Sequence, residues 1–205
     1  MARQRTMPGT AQATLALVAT LVGAVVAAAG FRLGSRRWNL LAAPFGALAG
    51  WGAGATDWLG VSIAVVAIAA LAFGAATDAR MRAIYNAPTL AALAFGIVAL
   101  LVTDSPAART WGLGALLTAL PITVLAWRSS GQRVGWGDVG FAGLCGALAG
   151  PLIGPCSLIL AAATVRLAGK LDDRPFALAL AWSTAICLGF VALLAVFAGR
   201  IPRGL

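Results

Sequence analysis

Histidine and glutamate are absent from this chain, and acid–base chemistry therefore rests on six aspartates: Asp57, Asp78, Asp104, Asp138, Asp172 and Asp173. Imidazole is excluded as a base or as a metal ligand. Charge is scarce, at 10% of residues, where a soluble domain carries about 25%. With 61% hydrophobic residues and a mean hydropathy of +0.93, the composition is that of a multi-span membrane protein. Cysteine is sparse too. Cys145, Cys156 and Cys187 all lie in apolar stretches without a C-x-x-C spacing. Neither a zinc site nor a disulfide framework is expected, and these residues read as small buried hydrophobes. The net charge of +9 does not signal nucleic-acid binding. Its arginines fall in short clusters between apolar runs, where they orient a chain in the bilayer.

A hydrocarbon core about 30 Å thick asks for about 20 apolar residues per helix. The apolar runs are 10–31, 39–55, 58–77, 87–103, 111–127, 138–150, 151–168 and 176–198. The expected fold is all-α: a single polytopic membrane domain over residues 1–205, with about eight transmembrane helices and seven possible. Connections are short, and no soluble domain fits between the spans. Trp38, Trp58, Trp111 and Trp127 mark span ends where an aromatic belt would fall. The first run starts basic and ends in Ala27-Ala28-Ala29-Gly30, like a cleavable signal. It is longer than the usual signal core of about 7–15 residues and reads as a retained helix. The stretch 138–168 leaves the count open. Gly150-Pro151 and Gly154-Pro155 could separate two short spans, or kink one long helix of about 46 Å. Eight spans place ten basic residues inside and five outside, whereas seven place nine and six. Both obey the positive-inside rule, and eight is favoured.

Two aspartates stand out. Asp138 sits in Gly135-Trp136-Gly137-Asp138, at the mouth of a segment, 139–167, whose single charge is Arg166. A charge at a helix centre in the membrane costs roughly 2.5–3.5 kcal/mol on insertion scales, so such groups mark function. Asp78 ends another apolar run, followed by Arg80 and Arg82. Asp78 follows the third span and Asp138 precedes the sixth, so two crossings separate them and both face the same side. Paired carboxylates share a proton, since like charges a few ångströms apart cannot both ionise. One then activates a water while the other donates to the scissile carbonyl oxygen. Gly135 and Gly137 would allow unusual backbone angles and the close approach of a substrate strand. The plainer reading of a lone aspartate at a helix end is a cap. Asp57 and Asp104 read as outer-loop residues, and Asp172-Asp173 as a solvated inner loop.

The motifs resemble those of the type IV prepilin peptidases, intramembrane aspartyl proteases of the Gly-x-Gly-Asp type. Asp78-Ala79-Arg80-Met81-Arg82-Ala83-Ile84-Tyr85-Asn86 is similar to the family's first motif, and Gly135-Trp136-Gly137-Asp138-Val139 to its second. Arg174-Pro175-Phe176-Ala177-Leu178-Ala179 resembles the segment before the last span. The resemblance covers about residues 70–198. It departs at Tyr85, where the family has proline, at Gly140, where lysine is usual, and at Ala177 and Leu178, where glycine and proline stand. It implies Asp78 and Asp138 as the catalytic pair, with no cofactor or metal. The cytoplasmic segment with two C-x-x-C pairs is missing, so a short-form peptidase is implied and methyltransferase activity is not expected. The implied partners are the bilayer and pilin-like precursors, each with a basic leader, a cleavage point after a small residue and an apolar helix. The implied location is the inner (plasma) membrane with the site facing the cytoplasm, in a type IV pilus or secretion role. Arg80 and Arg82 could hold an acidic residue of the precursor, or serve as positive-inside anchors. Two other readings use the same residues: a small transporter or channel subunit with both aspartates as ion sites, and a non-catalytic relative acting in assembly.

Overall fold

The computed structural model describes residues 58–103, 107–132 and 134–168. These residues form four helices, α1 (Trp58–Met81), α2 (Asn86–Val102), α3 (Ala107–Arg128) and α4 (Trp136–Ala168), and no strand. The expected runs 58–77 and 111–127 lie inside α1 and α3, and 87–103 matches α2 to within a residue at each end. The runs 10–31, 39–55 and 176–198, and with them the total of seven or eight spans, lie outside the described residues, as does the segment 174–179. By length and composition, 108–128 and 136–163 are long and apolar enough to cross a membrane.

The second of these stretches is not straight. Gly150 adopts φ 81° and ψ 175°, a backbone region open essentially to glycine alone. Pro151, which follows, lacks an N–H for the helical ladder. A Cβ placed on Gly154 would stand 2.9 Å from the Cα of Gly146. Along a straight helix those two residues would be about 12 Å apart. The chain therefore doubles back at Gly150, and the arms 136–149 and 151–168 touch one turn either side of it. Of the two readings of 138–168, the structure takes the one with two segments and a tight turn.

The first arm of α4 is the centre of the bundle. Phe141, Ala142, Leu144, Cys145 and Ala147 are buried, in one cluster with Ala67 and Leu71 of α1, Ala92 of α2 and Trp111 and Ala115 of α3. Small residues make this possible. The backbones of Gly114 and Gly146 meet directly, and the ring of Trp111 covers Gly96. Trp111 is thus a buried packing residue and not part of an aromatic belt, because Gly96 leaves room for its indole; Trp127, by contrast, is exposed. Cys145 is buried as expected, but Cys156 is exposed, lying on the outer side of the returning arm.

Hydroxyl groups within the helices bond back to their own chain. Thr77 donates to the Gly74 carbonyl at 2.9 Å, Thr89 to Asn86 at 3.0 Å, and Ser157 to Gly154 at 2.7 Å. Such bonds satisfy a polar group where no water is at hand. Outward, α2 presents Leu90, Phe95, Val98 and Leu101, α3 presents Leu113, Leu116, Leu120 and Leu125, and α4 presents Leu152 and Ile159. Apolar faces of that extent suit lipid and not water.

The turn at Gly150 yields a prediction. Nothing lies within 4 Å of a Cβ there, so Gly150→Ala meets no steric neighbour and loses only backbone freedom. Thermal unfolding of the purified protein in detergent should show a loss of about 1–3 kcal/mol. An unchanged transition would mean that the reversal does not depend on glycine.

Candidate active site

Asp78 lies in the last turn of α1, half-buried. The helix ends because Arg82 turns left-handed, with φ 54°, and its N–H donates to the Asp78 carbonyl at 3.0 Å. This is the αL form of helix capping, usually the task of glycine; an arginine there costs about 1–2 kcal/mol. The Arg82 side chain is exposed, while that of Arg80 lies outside the described residues. The link to α2 is short. Tyr85 at its end is extended, φ −79° and ψ 126°, and makes no side-chain cap bond. Its ring tilts against Phe73, centroids 6.4 Å apart.

Asp138 lies in the first turn of α4, and its carboxylate is tied to that turn. Oδ2 accepts the Gly135 N–H at 2.9 Å, and the Asp138 N–H donates to the Gly135 carbonyl at 3.1 Å. This resembles the reciprocal bonding of a capping box, in which a residue in the third helical position reaches back to the cap. The capping reading of Asp138 is therefore realised, and it fixes where one carboxylate oxygen points.

Two contacts join the aspartate-bearing ends. A Cβ on Gly74 would lie 2.9 Å from Cδ2 of Phe141 and 3.6 Å from Cγ2 of Ile84. A Cβ on Gly137 would meet the Ile84 carbonyl, and would lie 2.8 Å from the Ile84 Cβ. Gly74 and Asp78 are four residues apart on α1, and Asp138 and Phe141 three apart on α4, so each pair shares a side of its helix. The structure thus places both aspartates one turn beyond the same Gly74–Phe141 contact, at one end of the helix pair.

This changes the account of the motif glycines. Neither Gly135 nor Gly137 has a positive φ; among the described glycines only Gly131 and Gly150 do. The backbone that lies against Gly137 among the described residues is that of Ile84. Gly140 is also filled from within, since a Cβ there would lie 2.9 Å from the Thr89 hydroxyl oxygen. A long cationic side chain has no room at that position while α2 is packed this way. Gly74, Ile84 and Phe141 escaped notice in the sequence. The one signal of Gly74 and Phe141 is position, a single helical turn inward from Asp78 and Asp138, and Ile84 lies in the α1–α2 link.

An apolar groove of about 440 Å³ lies between α2, α3 and α4, lined by Leu90, Leu93, Ala115, Trp136, Val139 and Gly143 among others. Its lining includes neither Asp78 nor Asp138. Among the described residues no three histidine, cysteine, aspartate or glutamate side chains gather in a metal-binding group.

The sequence model of the type IV leader peptidase family matches residues 65–169, a stretch that holds both aspartates and both motif glycines. No curated protein and no solved structure gives a significant match to the chain.

Tyr85 offers a direct test of one departure from the family pattern. Its φ of −79° falls within the range that proline imposes, about −65 ± 15°. Tyr85→Pro should then fit the present backbone, changing stability by less than about 1 kcal/mol. Denaturation in detergent measures this. A larger loss would show that the link needs the tyrosine ring on Phe73.

Proposed function

The chain belongs to the type IV leader peptidase family, and on that footing we propose that it is an intramembrane aspartyl endopeptidase. Its substrates are type IV prepilins or pilin-like precursors, and it removes their basic leader at the cytoplasmic face of the plasma membrane. The peptidase core spans about 70–198 within one membrane domain. The observation that carries this reading is the placement of Asp78 and Asp138 one turn beyond a shared contact, at the same end of α1 and α4.

Hydrolysis by such a pair needs no further group. One carboxylate takes a proton from water, whose oxygen attacks the scissile carbonyl carbon, while the protonated partner donates to the carbonyl oxygen. Collapse of the tetrahedral intermediate breaks the C–N bond; the departing amine takes the proton that the first carboxyl received from water, and the second carboxylate regains its proton from the collapsing hydroxyl. The Gly135 N–H holds one Asp138 oxygen, so this carboxylate is pre-oriented and loses little freedom on the way to reaction. A peptide bond in a helix is shielded by its own hydrogen bonds, so the precursor must unwind where water meets the carboxylates. That boundary is the end of α1 and the start of α4. The exposed Arg82, with Arg80 beside it in sequence, can meet an acidic residue of the precursor through a charge-assisted bond.

The test is a cleavage assay with purified protein and a candidate precursor, read as loss of the leader mass. Asp78→Asn and Asp138→Asn should each lower kcat by about 10²–10⁴-fold. Asp138→Asn keeps an oxygen able to accept the Gly135 N–H, so its helix should stay capped and its thermal transition close to that of the parent. Cleavage at the parental rate by both single variants would remove the aspartate pair from the mechanism.

A further inference from the structure

We infer that Gly74, Phe141, Ile84 and Gly137 form a two-point spacer that sets the separation of the Asp78 and Asp138 carboxyl groups. The geometry stands apart from any activity; its consequence for catalysis rests on the peptidase reading above.

The first point is a ring on a bare backbone. Cδ2 and Cε2 of Phe141 come within 2.9 and 3.0 Å of the position a Gly74 Cβ would take. Phe141 is 1% exposed, so the ring has nowhere to swing if that position is filled. The second point is backbone on backbone, with the Ile84 carbonyl against Gly137. Ile84 links the two, because its Cγ2 also reaches within 3.6 Å of the same point over Gly74. One residue of the α1–α2 link thus touches both helices that carry an aspartate. Asp78 and Asp138 each sit a single turn from the Gly74–Phe141 contact, and Asp138 directly follows Gly137, so the backbone that carries each aspartate is fixed by the spacer.

Adding one methyl group on the axis between α1 and α4 must push them apart or rotate one against the other. A misplacement of 1 Å in a reacting pair can cost about 10²-fold in rate. The four residues touch no reacting atom in this scheme. They are positioning residues, and their effect should fall on kcat and leave KM unchanged.

The experiment reads geometry and activity separately. In a background with Cys145, Cys156 and Cys187 each replaced by alanine, Asp78→Cys with Asp138→Cys reports proximity through the rate of copper–phenanthroline disulfide formation. We expect ready cross-linking in that parent, a drop of at least about tenfold with Gly74→Ala or Gly137→Ala, and recovery when Phe141→Leu accompanies Gly74→Ala. That double change keeps volume nearly constant, so it remains informative even where Gly137→Ala does not fold. Gly112→Ala, with nothing within 4 Å of its added carbon, should leave the rate unchanged. With both aspartates present, Gly74→Ala should lower kcat roughly 10- to 100-fold at constant KM, and the double variant should restore it. Cross-linking indifferent to Gly74→Ala and Gly137→Ala overturns the spacer while leaving the peptidase intact. Cross-linking that behaves as described, in a protein that cleaves no precursor, removes the peptidase and leaves the spacer.

Discussion

Helices in hydrocarbon gain nothing by hiding apolar surface from one another, because lipid tails are as apolar as leucine; what holds them is contact at close range. Glycine is this chain's means to that contact. Gly114 lies on Gly146, Gly154 on Gly146 across the turn, the Trp111 ring on Gly96, and the Phe141 ring on Gly74. Each pairing removes a Cβ from an interface and lets a backbone or a ring take its place. The outward faces can then consist of leucine, valine and phenylalanine without loss. One demand explains both the glycine content and the apolar exterior.

The same demand accounts for the way polar groups are placed. Thr77, Thr89 and Ser157 each bond a carbonyl of their own helix, so no crossing bond between helices is needed for them. Thr118 differs. Its hydroxyl oxygen is buried without a hydrogen-bond partner, pressed against Gly146 and Gly154. Close packing at that point takes precedence over a hydrogen bond, at a penalty of about 1–3 kcal/mol for an unmet hydroxyl. Asp138 lies at the other extreme, since its carboxylate is bonded within its own first turn. Capping and catalysis are often weighed as rivals for an aspartate at a helix end. Here the cap holds one Asp138 oxygen in place, and the catalytic role proposed for Asp138 uses that same arrangement.

What could be read in the chain beforehand follows the range of each interaction. The runs 58–77, 87–103 and 111–127 became α1, α2 and α3 because apolar length alone specifies a helix in lipid, where every backbone group must bond within its own segment. The same-side placement of Asp78 and Asp138 followed from counting the two helices between them. In the observed order, α2 and α3 lie between them. The break in 138–168 was visible as Gly-Pro pairs, but its sharpness was not, because it depends on φ at Gly150 and on Gly146 meeting Gly154. Trp111 was misjudged for a related reason: an aromatic at a span end reads as a belt residue unless its neighbour, Gly96, is known. The contact of Gly137 with Ile84 is likewise invisible in the local sequence. Contacts between separate segments leave no trace in local pattern.

The departures at Tyr85 and Gly140 bear on this point together, and they fall on one interface. Tyr85 closes the link that carries Ile84, and Gly140 faces Thr89 one turn into α2. Tyrosine supplies the extended backbone at 85 with a φ that proline would also take. Glycine at 140 draws the start of α2 onto α4, to a distance that a longer side chain would forbid. The Ile84 carbonyl lies against Gly137 one turn earlier on α4. A chain with lysine at 140 would have to reach the Gly137 contact by another route, with α2 tilted outward or the cation turned along the helix toward the boundary. The two departures both lie where α2 and its preceding link meet α4. They act on the approach of the first motif to the second, and both aspartates remain in place.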